Sequence, residues 1–196
     1  MAIAPPTAPR PPVVNLPNLL TTARLGLAVV LFVCIAVQAW ATGLVVFVVA
    51  AITDWLDGYF ARKHGLASAF GRNFDPLVDK VLIGGAFIFL LPEPSAELTP
   101  WMVTVVVARE LIITGLRGFI ESQAGSFGAD WLGKLKMGLQ CAALLAILFV
   151  LALRAAATDP GWLADVQTTL TYAMVVATAL SGLQYLWRAV WLLRPV

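Results

Sequence analysis

Aspartates stand at positions 54, 57, 75 and 79, as two pairs: Asp54 with Asp57, and Asp75 with Asp79. Spacings of three and four residues put each pair on one face of a helix, about one turn apart. The flanking residues are mostly apolar, and a charge in such a setting costs on the order of 2.5 to 3.5 kcal/mol. One arginine cannot compensate four carboxylates, whereas divalent metal can. Oxygen-only donors suit hard cations such as Mg²⁺ or Mn²⁺. Four carboxylates are enough for two ions, a pairing that stabilises both attacking and leaving oxygens in phosphoryl chemistry. Gly58, Ala61 and Gly71 surround the acids with small residues, so a backbone or a flat ligand can approach closely. Arg62, five residues after Asp57, can reach a phosphate through charge-assisted hydrogen bonds. The competing structural reading is interhelical salt bridging with Arg62, Lys63, Arg72 and Lys80. It explains the net charge but not two helical pairs with small residues between them.

The elements that must position these acids are apolar. Of 196 residues, 60% are hydrophobic and only 12% are charged; the mean hydropathy is +0.87. A soluble domain carries about a quarter charged residues, so the composition reads as an all-α integral membrane protein. The net charge of +2 is too small to argue for nucleic acid. Residues 1–14 form a proline-rich stretch expected to be a flexible cytoplasmic tail, without a signal-peptide pattern. Residues 15–196 are expected to form one membrane domain. Its six transmembrane helices cover about Leu19 to Ala39, Thr42 or Gly43 to Arg62, Asp75–Pro76 to Pro92, Trp101 to Glu121, Trp131 to Leu153 and Leu163 to Trp187. Each is about 20 residues, enough for a ~30 Å hydrocarbon core. Pro76 is expected in the first turn of the third span.

Lysine and arginine give an orientation. With the N-terminus inside, cytoplasmic ends and loops hold eleven of them, Arg24 included, and the outer loops hold only Arg154. The positive-inside rule then places both termini in the cytoplasm. The aspartates lie at the cytoplasmic ends of spans two and three, in a polar cavity open to that side. Cys34 and Cys141 read as small buried hydrophobes. His64 reads as a solvated loop residue. The tryptophans sit mostly near span ends, as in an interfacial aromatic belt.

The ordered pattern Asp54-x2-Asp57-Gly58-x2-Ala61-Arg62-x8-Gly71-x3-Asp75-x3-Asp79 resembles the complete signature of the CDP-alcohol phosphatidyltransferase family. Eight fixed residues over 26 positions make a specific match. The resemblance implies a six-span, homodimeric enzyme of the cell (inner) membrane that displaces CMP from a CDP-linked lipid. It implies that Asp54, Asp57, Asp75 and Asp79 hold two divalent ions, and that Asp79 is also the general base. Gly58, Ala61, Arg62 and Gly71 resemble the residues around the CDP moiety, and Ser68 falls where some members place a Ser or Thr near the nucleotide.

Three further stretches are similar to the bacterial phosphatidylglycerophosphate synthase branch of that family. They are Asn15 to Thr21 with Arg24, Ala108 to Arg117, and Trp131 to Lys136. The first brings Asn18 and Thr21 into the CDP site. The likeness covers roughly residues 15–190.

The residues independently favour an anionic acceptor. Arg109 is deep in span four, and an intramembrane arginine marks a functional site by default. Arg117 follows two turns later, while Lys134 and Lys136 enter span five from the same side. Two apart on a helix, these lysines cannot both face one site; Lys134, with Arg109 and Arg117, is the expected acceptor-phosphate cradle. Arg109 could instead pair with Glu110 or an aspartate, and Arg117 could be a snorkelling arginine. The expected reaction joins CDP-diacylglycerol from the lipid bilayer to glycerol 3-phosphate. The signature itself reads only the CDP half, so inositol phosphate or phosphatidylglycerol stand as alternative acceptors. A divalent-metal transporter is the reading from another class. It predicts acids spread along a path through the membrane, whereas these cluster at one depth.

Overall fold

The computed structural model describes residues 16–64, 69–124 and 131–192. Within them it contains six α-helices and no strand. They are α1 (Leu16–Ala36), α2 (Trp40–His64), α3 (Ala69–Leu90), α4 (Pro100–Ala124), α5 (Trp131–Ala155) and α6 (Trp162–Leu192), with a 3₁₀ turn at Pro94–Ala96 between α3 and α4. The all-helical expectation is met. The helices correspond in order to the six expected spans, but each runs a few residues longer or is shifted at its ends.

The largest shift is in α3. It starts at Ala69, so Pro76 lies inside the helix and not in its first turn. A proline removes one backbone bond. Helices that bury a face against neighbours tolerate that loss, because packing supplies most of their stability. The buried face of α3 is Val78, Leu82, Ile83, Ala86, Phe87 and Leu90.

Each helix of the first half buries a stripe at helical spacing. On α1 it runs through Thr21, Arg24, Ala28, Leu31 and Ile35. On α2 it runs through Trp40, Gly43, Phe47 and Ala50, and the next position of that stripe is Asp54. On α3 Asp79 lies beside Val78 at the start of the stripe, three residues before Leu82 and four before Ile83. The apolar stripes thus become charged at one common level because the sequence periodicity carries them there.

α1 packs against α2 and α3, α5 against α6 and α2, and α4 against α6; α3 touches α4 and α5 more lightly. The bundle is therefore two three-helix groups joined mainly by α2 on α5. Gly43 allows close approach: a Cβ there lies 3.5 Å from Cys34 Cβ and 4.0 Å from Leu148 Cδ2. Cys34 and Cys141 are free thiols, as expected.

The outer faces carry large exposed apolar side chains, among them Val33, Val45, Phe89, Leu111, Leu145 and Leu183. Among the described residues, α5 and α6 are long and apolar enough to cross a membrane, and shorter apolar stretches cover Thr21–Ala36 and Trp40–Trp55. The other helices are interrupted by the charges that build the site.

Candidate active site

The acids of α2 and α3 meet at a residue of α1. Arg24 Nη1 lies 2.8 Å from Asp54 Oδ1 and 2.9 Å from Asp79 Oδ1. Arg24 is 1% exposed, whereas the side chains of Asp54 and Asp79 are 41% and 21% exposed. A buried guanidinium thus pairs with two carboxylates that remain partly exposed. Thr21, one turn earlier on the same face of α1, is also buried.

Arg24 is the residue that sequence reasoning missed. Counted as a cytoplasmic end charge, it is instead fully buried within the bundle. Its spacing from Thr21 and Ala28, three and four residues, was the available signal, because it places the charge on the inward stripe.

The expected metal ligands are tested by the same geometry. Carboxylates from two helices converge on one cationic point, and their oxygens are hard donors of the kind Mg²⁺ and Mn²⁺ require. Asp54 and Asp79 therefore fit a divalent site. The side chains of Asp57 and Asp75 lie outside the described residues, although α2 and α3 carry both positions. Among the described residues no group of three or more acidic, His or Cys side chains is assembled. The side chains of Asn18, Gly58, Ala61, Arg62, Gly71 and Arg117, and residue Ser68, also lie outside the described residues.

A second charged layer joins α4, α5 and α6. Arg109 Nη1 reaches Glu110 Oε1 at 3.3 Å, and Arg109 Nη2 donates to Ser181 Oγ at 2.7 Å. The guanidinium carbon lies 5.6 Å from the centre of the Tyr185 ring, within cation–π range. A Cβ at Gly182 would approach Arg109 Cγ to 3.1 Å, so α6 offers a flat place for the arginine stem. Lys136 is buried and ion-paired with Glu110.

Lys134 is exposed. The two lysines do face apart, as their spacing requires, but the one gathered with Arg109 is Lys136 and not the expected Lys134. Burial of the α5 stripe decides this: Lys136, Gln140, Ala143 and Ile147 share the inward face. The pairing of Arg109 with Glu110 is present, and Lys136 shares the same carboxylate, so cations outnumber anions in this layer among the described residues. Such a surplus in a low-dielectric setting suits a further anion.

Comparison with known proteins agrees with the signature. Residues 14–182 match the CDP-alcohol phosphatidyltransferase family model. The CDP-diacylglycerol–glycerol-3-phosphate 3-phosphatidyltransferase of Bacillus subtilis is 37% identical over 150 residues, covering 68% of this chain and 76% of that protein. The protein of the same name from Rickettsia felis is 40% identical over 133 residues, 66% of this chain and 72% of its own length. A probable phosphatidylglycerophosphate synthase of Mycobacterium tuberculosis is 35% identical over 192 residues, 93% of this chain and 85% of its own. The chain belongs to the CDP-alcohol phosphatidyltransferase family.

Proposed function

We propose that this family member makes phosphatidylglycerophosphate, transferring the phosphatidyl group of CDP-diacylglycerol to glycerol 3-phosphate with release of CMP. The observation that carries the reading is the convergence of Asp54 and Asp79 on one cationic point at the family signature, with a cation-rich layer on the facing helices. The names of its relatives support the same acceptor.

Asp54, Asp57, Asp75 and Asp79 would hold two divalent ions, Mg²⁺ or Mn²⁺, which when bound neutralise charge on the pyrophosphate oxygens. Asn18, Thr21, Gly58, Ala61, Arg62, Ser68 and Gly71 surround the CDP moiety, and Arg62 balances charge on the departing CMP. Asp79 takes the proton from the 1-hydroxyl of glycerol 3-phosphate. That oxygen forms a bond to the phosphorus bearing diacylglycerol, and the bond from this phosphorus to the bridging oxygen breaks. Arg109 and Lys136 receive the acceptor phosphate, while Arg117 and Lys134 lie nearer the cytoplasmic ends of their helices, on the entry side. Catalysis rests on positioning and charge stabilisation.

Six spans with both termini in the cytoplasm of the (inner) membrane suit this chemistry, since CDP-diacylglycerol arrives laterally and the polar acceptor arrives from water. Exposed apolar faces on every helix support embedding in lipid. A homodimer is part of the same proposal.

The test is release of labelled CMP from CDP-diacylglycerol with each acceptor in turn. Turnover with glycerol 3-phosphate and little with inositol phosphate, serine or phosphatidylglycerol is expected. Strong activity with inositol phosphate and none with glycerol 3-phosphate overturns the reading.

A further inference from the structure

One oxygen of Glu110, Oε1, serves both cations of the layer that joins α4, α5 and α6: Arg109 Nη1 at 3.3 Å, and the Lys136 ammonium. The side chains of Arg109, Glu110 and Lys136 are 11%, 12% and 8% exposed. A cation left uncompensated in such a place is costly, so the empty site needs an anion of its own.

The two cations are held differently. Arg109 also donates to Ser181 Oγ, stands over the Tyr185 ring and lies against Gly182. Lys136 has Glu110 as its polar partner among the described residues. Its ammonium sits on a flexible four-carbon stem and has three donors, of which Glu110 Oε1 takes one. Lys136 is therefore the cation able to change partner, while Arg109 stays in place.

The layer lies level with the aspartates. α3 and α4 are antiparallel, joined through the Pro94–Ala96 turn, and a Cβ at Gly84 would lie 3.8 Å from Val107 Cγ2. Helices rise equally per residue, so five positions back on α3 and five onward on α4 set Asp79 beside Ile112, within one turn of Glu110. On the antiparallel pair α2 and α5, a Cβ at Gly43 would lie 4.0 Å from Leu148 Cδ2. Eleven positions onward on α2 and eleven back on α5 set Asp54 beside Met137, next to Lys136. An anion that takes Lys136 from Glu110 thus sits at the depth of Asp54 and Asp79.

We propose that Glu110 is the resident counter-anion of the acceptor-phosphate site, exchanged at Lys136 for the phosphate of the incoming acceptor. This rests on the transferase reading above. With no acceptor bound, the carboxylate compensates both cations. When a phosphomonoester enters, its oxygens take Lys136 and Glu110 remains on Arg109. When the product leaves with that phosphate, the carboxylate takes Lys136 back. Glu110 is thus a positioning residue that opposes anion binding, and it weakens the hold on free phosphate, acceptor and product alike.

The experiment melts the full-length protein in detergent and chelator across a titration of inorganic phosphate, whose stabilisation reports binding. Glu110→Gln keeps a hydrogen-bond acceptor but drops the charge. Half-saturation should fall by about 3- to 30-fold, the effect of one charge at short range in partly screened surroundings. Gly85→Ala, a change at the α1–α3 contact, should leave the midpoint at the wild-type value. Where Glu110→Gln does not accumulate folded, Glu110→Asp, with its charge drawn back by one methylene, should lower the midpoint by about 2- to 5-fold. In the rate assay with metal, the KM for glycerol 3-phosphate should fall alongside, with kcat no higher than wild type. A midpoint unchanged or raised by loss of the Glu110 charge means that Glu110 only builds the site and overturns the proposal, as does an equal shift in Gly85→Ala. A wild type whose phosphate midpoint depends on Glu110 in this way, yet which releases no CMP with glycerol 3-phosphate, keeps the exchange and sinks the transferase reading instead.

Discussion

Arg24 Nη1 lies 2.9 Å from Asp79 Oδ1, across 55 residues of chain. The same atom touches Asp54, so α1 ties together the two helices that carry the signature. Four of the expectations that follow concern this tie and the helix packing around it, and one concerns the layer opposite.

Asp79→Asn keeps the volume of the side chain but cannot accept the acceptor's proton. Turnover should fall by about 10²- to 10⁴-fold, while binding of the CDP moiety persists. Labelled-CMP release and a separate nucleotide-binding titration check this; near-normal release would remove Asp79 as the base.

Arg24→Ala leaves Asp54 and Asp79 facing each other without their cation. Thermal stability in chelator should drop by about 1–3 kcal/mol, a buried pair with one partner gone but with carboxylates partly solvated. The sign for metal is opposite: removing a positive charge beside the carboxylates strengthens attraction for Mg²⁺, so half-saturation should move to lower concentration. Unfolding curves across a Mg²⁺ titration measure both, and an unchanged curve in chelator would count against the tie.

Chelation of divalent ions should stop CMP release without loss of helical content, and Mg²⁺ or Mn²⁺ should restore it. Asp57→Asn and Asp75→Asn should each need more metal for half-maximal rate. A metal response identical to wild type in both variants would exclude them as ligands.

Gly85 on α3 sets the distance to α1. A Cβ there would come within 2.8 Å of Phe32 Cε1. Phe32 cannot swing aside freely, since it stacks on Phe89 with ring centres 5.0 Å apart. Gly85→Ala should destabilise by about 1–3 kcal/mol and lower turnover, because α1 and α3 carry Arg24 and Asp79. Phe32→Leu in the same chain should recover part of both, which a thermal melt and a rate assay of the double variant would reveal.

Lys136→Met removes the cation gathered with Arg109 and leaves Glu110 buried with one partner fewer. The KM for glycerol 3-phosphate should rise by roughly 10- to 100-fold, as for a desolvated charge contact. Lys134→Met, at an exposed position, should raise it by no more than about 3-fold. Equal effects of the two would return Lys134 to the phosphate cradle.

The number and order of the helices were legible because composition and span length leave few alternatives for a chain this apolar. The start of α3 was not. Pro76 looked like a boundary on local grounds, yet the helix begins at Ala69 and Pro76 lies inside it. Lys134 and Lys136 show the same limit. Sequence spacing says they point apart, but it cannot say which direction is inward until α6 and Glu110 of α4 are in place.

The sequence by itself determined the family, since residue type and spacing within the signature are local properties that survive without a fold. Tertiary structure alone decided which charges meet. Arg24 lies 30 residues from Asp54 in the chain and Ser181 lies 72 from Arg109. Such pairings depend on helix rotation and register, which are fixed by side-chain packing along the whole bundle and not by any local pattern.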